Sequence, residues 1–79
     1  MPKFHMNVYI DIDAIDFEGV DRLDLEDAKK EAVAGARDLI ATRIKSGQSI
    51  YKSHRIEITD DREDILHVVR FGDILDIRL

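Results

Sequence analysis

The sequence predicts an α+β protein of two layers: a three- or four-stranded sheet, in the order β-(β)-α-β-β, with one helix packed on one face. Three observations carry that prediction. Residues 4–12, FHMNVYIDI, alternate apolar and polar side chains. Residues 55–59, RIEIT, do the same, and period two in aromatic and β-branched residues marks half-buried strands. Between them lies one long helical pattern, residues 24–47, with its own start and stop signals.

In the first strand Phe4, Met6, Val8, Ile10 and Ile12 share one face, and His5, Asn7, Tyr9 and Asp11 the other. Pro2 just before it suits a strand edge, where a missing N–H costs nothing. Residues 13–23, DAIDFEGVDRL, turn at Gly19. Their apolar residues Ile15, Phe17, Val20 and Leu23 suit either a short strand folding back on the first or an irregular loop. The loop would pin Phe17 and Val20 under the helix.

The helix opens on Asp24 as N-cap, with Asp27 in the first turn. It closes with Lys45 in the last turn and Gly47, which can take the left-handed conformation beyond it. Leu25, Ala28, Ala32, Ala36 and Leu39 form one apolar stripe with Ile40 on its flank; Glu31, Ala34, Asp38 and Lys45 face away. A stripe of small residues lets a helix lie close on a sheet. Gly35 costs about 1 kcal/mol of helix propensity against alanine, which points to close approach there. Glu26 and Lys30 are spaced to pair one turn apart. Arg43 falls on the buried stripe, so its stem is expected over the core and its charge in solvent.

Residues 46–54 are a connector and DDRED, residues 60–64, a charged hairpin loop. The returning strand, residues 65–71, ILHVVRF, reads as apolar on both faces, with Leu66 and Val68 on one and Ile65, Val69 and Phe71 on the other. One helix covers one face only. The second face therefore needs a cover: the alternating tail from Gly72 to Leu79, or a second copy of the chain. Tyr9, Ile65, His67, Val69, Phe71, Leu75 and Ile77 are the residues expected at such an interface, and a homodimer is the expected assembly.

A chain of 79 residues reads as one domain over its full length, near the lower size for a self-sufficient core. It has no cysteine, which excludes disulfides and thiolate metal sites. No apolar run approaches the ~18 residues of a membrane span, and the N-terminus has no apolar signal core. A cytoplasmic protein is the expectation. The net charge is −5. Acids crowd residues 11–27, where Asp11, Asp13, Asp16, Glu18, Asp21, Asp24, Glu26 and Asp27 face Arg22 alone. Arg43, Lys45, Lys52 and Arg55 hold residues 43–55 without an acid. The two blocks suit contact across the fold or across a dimer; the overall charge argues against nucleic acid as a partner.

Taken together, Phe4–Ile10, Asp16-Phe17-Glu18-Gly19-Val20, Leu23-Asp24-Leu25-Glu26-Asp27-Ala28 and Arg55-Ile56-Glu57-Ile58-Thr59-Asp60 resemble a family of very small uncharacterised bacterial proteins. Its pattern is an aromatic strand, D-x-E-G, an L-x-D-L-E-x-A helix opening and an R-I-E-V-T-D strand. One departure is Asp13-Ala14, where Asp-Gly is expected. The resemblance implies a fold and no site residues, because the family is a domain of unknown function. Residues 8–36 are also similar, more loosely, to HicB-type antitoxins, which implies a regulator associated with nucleic acid; the appended DNA-binding segment common there is absent from this sequence.

The chemistry-bearing residues form no known motif. Asp11, Asp13, Asp16 and Glu18 invite a hard cation, but the EF-hand spacing fails, with Ile15 and Asp16 where an oxygen ligand and glycine belong. A solvated acidic turn is the plainer reading, and a metal- or ligand-binding domain the alternative. His5 and His67 would share the face away from the helix if their strands were neighbours. Ser46, Ser49 and Ser53 lie in the connector without elbow glycines, and His54 beside Ser53 is adjacency only. No catalytic, cofactor-binding or metal-binding residue is assigned. A non-catalytic protein-interaction or regulatory module is the expected function.

Overall fold

In a computed structural model, which describes residues 2–76 and residue 78, the elements are β1 (Lys3–Tyr9), β2 (Asp13–Ala14), β3 (Val20–Asp21), α1 (Leu25–Lys45), β4 (Arg55–Thr59), β5 (Ile65–Arg70) and α2 (Phe71–Ile74). The sheet is antiparallel, in the order β2-β1-β4-β5, with β3 also paired to β1. One face of the sheet packs on α1. The expected α+β architecture is the observed one, with the uncertain second strand resolved into two short strands separated by a loop.

Alternation puts Phe4, Met6 and Val8 of β1 on the helix side, beside Ile58 and Ile56 of β4. Ala28, Ala32, Ala36 and Ile40 of α1 meet them, and Val69 and Phe71 complete the buried core. The helix starts where Asp24 accepts a hydrogen bond from the Asp27 N–H at 2.9 Å, and Gly47 beyond it has φ +71°. A Cβ on Gly35 would meet Ile56 Cδ1 at 3.9 Å, an ordinary contact. Close approach therefore does not explain that glycine. Glu26 pairs with Lys29 at 3.0 Å rather than with Lys30.

Arg43 also departs from expectation. Its guanidinium is not carried to solvent: it donates to the Ser49 carbonyl at 2.9 and 2.6 Å and to Asp11 at 3.2 Å, with the side chain only 8% exposed. Those bonds tie the helix end to the connector and to the end of β1. The Arg43–Asp11 pair joins a residue of the basic sequence block to one of the acidic block. His54, buried beside Phe71 and Tyr51, lies 3.5 Å from the same Asp11 carboxylate.

The largest correction concerns β5. Ile65 pairs with Thr59, yet His67 pairs with Ile58, because the register slips by one residue between Ile58 and Thr59. A bulge reverses the faces of everything beyond it. Ile65 therefore stays on the open face, whereas His67 and Val69 turn to the helix side and Phe71 is fully buried in α2. The open face is correspondingly polar, with His5, Asn7 and Tyr9 beside Thr59, Glu57 and Arg55. The tail does not cover it: residues 71–74 are helical and Leu75 packs half-buried against the core. Ile77 lies outside the described residues.

Candidate functional site

The polar side chains of this fold converge at one end of the open face, where the loop of residues 15–19 meets the turn of residues 60–64. β2 and β3 both pair with the outer edge of β1, β2 at Val8 and Tyr9, β3 at Lys3 and Phe4. Between those stretches the Met6 N–H has no strand partner. Asp16 supplies one: its carboxylate accepts from Met6 N at 3.2 Å and, with the other oxygen, from Gly19 N at 2.9 Å. The Asp16 N–H in turn donates to the Asn7 side chain at 2.9 Å. Asp followed three residues later by Gly is a turn signature, and here the side chain serves the turn and the sheet edge together. Gly19 cannot be replaced freely, since φ is +77° and a Cβ would lie 2.7 Å from Lys3 Cγ.

His5 closes the arrangement. Its Nδ1 is 2.7 Å from the Asp16 carbonyl oxygen and its Nε2 is 2.8 Å from Asp61 Oδ1. A carbonyl and a carboxylate only accept, so both ring nitrogens donate and the imidazole is protonated when both bonds are made. The bond to Asp61, then that to Asp16, holds the His5 pKa above its ordinary 6.5, and partial burial opposes the shift. Asp60 shapes the opposite wall, its carboxylate accepting from Arg62 N and Asp64 N at 2.8 and 3.0 Å.

These walls enclose a depression of about 160 Å³ lined by His5, Asn7, Asp16, Thr59 and Asp61. Its rim is apolar. Phe17 is 85% exposed and Ile15 41%, both on the 15–19 side. Ile65, the cross-strand neighbour of Thr59, is 58% exposed. Thus Phe17 is not pinned under the helix, and Ile12, expected inside, is exposed beyond the end of β1.

Of the residues expected at an interface, only Ile65 and Tyr9 stand on the open face. Tyr9 is capped by the Arg55 guanidinium, 4.4 Å from the ring centroid, so it is no free stacking platform. His67 is on the opposite side of the sheet from His5, so the two histidines form no joint site. Val69, Phe71 and Leu75 belong to the core or its margin. Nothing in the local sequence brings Asp16, Asn7 and Asp61 together, because their meeting depends on two loops separated by most of the chain. Among the described residues no three His, Asp or Glu side chains are placed to hold a metal ion.

The fold and this end of it define a small two-layer domain with a closed polar hub and an apolar rim. The chain belongs to the family described as a domain of unknown function (DUF6894), which matches residues 3–72. No curated protein and no solved structure matches it. No described helix is long and apolar enough to cross a membrane.

Proposed function

We propose that the domain is a non-catalytic protein-interaction module whose contact surface is the apolar rim formed by Ile15, Phe17 and Ile65, and that a second copy is its partner. The single observation that carries this is the exposure of Phe17 on a loop tied to the sheet edge by hydrogen bonds that the Asp16 carboxylate accepts from Met6 N and Gly19 N. A large aromatic held in solvent by a rigid support is organised for contact, because ordering was completed before binding. The non-catalytic part rests on His5. Both of its nitrogens are committed to protein acceptors, which leaves no lone pair to take a proton. The depression, about 160 Å³, is also smaller than the ~300 Å³ or more of ordinary ligand pockets. Its acidic wall repels phosphates, which speaks against nucleic acid at this surface.

Sedimentation equilibrium at about 0.1 mM tests the proposal, with dimers expected in the wild type and monomers after Phe17→Asp. Asp61 and Glu63 of the two copies would approach at the rim, so added salt is expected to tighten the dimer by screening them. A wild-type monomer at that concentration removes the self-association.

A further inference from the structure

We propose that the outer edge of β5 binds an extended, acidic peptide segment of a partner protein as an added strand. This surface is separate from the apolar rim, and the inference does not depend on self-association there. Among the described residues no strand pairs with β5 on the side away from β4. The backbone register identifies which groups are left over. Phe71 N donates to the His54 carbonyl, so the pairs His54/Phe71, Ile56/Val69 and Ile58/His67 exchange hydrogen bonds between the two strands. The N–H and C=O groups of Val68 and the N–H of Arg70 therefore point outward, whereas the Arg70 carbonyl is taken up at the N-cap of α2. The bulge limits this regular edge to the stretch after Leu66. No proline or lysine guards it, although edges that stay unpaired commonly carry one.

Charge identifies the occupant. A groove of about 370 Å³ runs between α1 and this edge, lined by Val33 and Arg37 of α1 and by His67 and Val69 on the helix face of β5, while Val68 and Arg70 border it with side chains turned to the open face. Asp73 is the single acid in its lining. Arg22, Arg43, Arg55 and Arg78 each bond a carboxylate of the chain, whereas Arg37 and Arg70 have no acidic partner among the described residues. Lys30, next along the helix, is likewise without one. Arg37 and Arg70 thus flank the spare backbone groups of this edge, one on each face of the sheet. An extended strand satisfies the backbone groups, and its acidic side chains meet Arg70 on the open face or Arg37 on the helix face, according to the side of the strand they occupy. A polyanion such as nucleic acid meets the charges but offers no strand to the edge.

The test is an amide-resolved NMR titration of the full chain with a blocked octapeptide alternating glutamate and valine. Three comparisons accompany it: the lysine–valine analogue, an N-methylated glutamate–valine peptide, and single-stranded oligothymidylate. Saturable shifts and hydrogen-exchange protection at Val68 and Arg70 are expected with the acidic peptide alone. The double variant Arg37→Glu, Arg70→Glu, altered only at exposed side chains, is expected to weaken binding roughly tenfold or more, as is raising salt from low to high ionic strength. No binding at millimolar peptide overturns the proposal. Equal binding of the N-methylated peptide, tighter binding of the oligonucleotide, or shifts mapping to Phe17 and Ile65 instead overturn it too. None of these results alters the dimer measurement, so the two proposals fail separately.

Discussion

The two edges of this sheet end in different ways. On the β1 side, two short strands pair along the outer edge, the Asp16 carboxylate accepts from the Met6 N–H between them, and the surrounding charge is negative. On the β5 side no strand pairs with the outer edge among the described residues, and the surrounding charge is positive. One edge is therefore closed by side-chain chemistry within the chain, and the other is held ready for chemistry from outside. An irregular loop can thus supply the missing acceptor at a sheet edge, provided one carboxylate stands where the ladder breaks.

The largest expected effect comes from removing that carboxylate. Asp16→Ala strips acceptors from Met6 N and Gly19 N and should cost about 2–3 kcal/mol in urea unfolding. Hydrogen exchange should show Met6 losing protection while Val69 keeps its own. Equal loss at both would mean that the β1 edge has no separate closure. Gly19→Ala acts on the same edge through the backbone. Its left-handed φ and the short approach to Lys3 should cost about 1–2 kcal/mol, again without altering peptide binding at β5.

The smallest effect is on pH. Because the folded pKa of His5 is raised, its contribution to stability is complete below 6.5 and is lost as pH rises through the folded value. Urea midpoints measured from pH 6 to 9 should fall with rising pH in the wild type. In His5→Gln that component should vanish. Asp61→Asn should reduce it, leaving the bond to the Asp16 carbonyl, and a slope unchanged in both variants would remove the clamp between the two walls.

Much of this architecture was legible residue by residue. The helix boundaries follow from Asp24 and Gly47, and its buried stripe from Ala28, Ala32 and Ala36; β1 and β4 follow from alternation that a solvent-exposed face and a core face enforce. The candidate site was legible only in pieces. Asp16 and Gly19 carry a turn spacing, but nothing local says that the Met6 N–H needs a partner or that His5 will reach Asp61. Arg43 showed its place on the buried stripe and not the carbonyl of Ser49 that anchors it.

Periodicity and capping act between neighbours along the chain, so the sequence sufficed for β1, α1, β4 and β5, their order and the faces of β1 and β4, but not for β2, β3 or α2. Tertiary structure alone decided the rest. A register slip opposite Thr59 sent Ile65 and Val69 to opposite faces in spite of their even spacing, and so put Val69, one of the residues expected at an interface, into the core. Register is set by the partner strand and the packing beneath it, and no side chain of β5 encodes it locally.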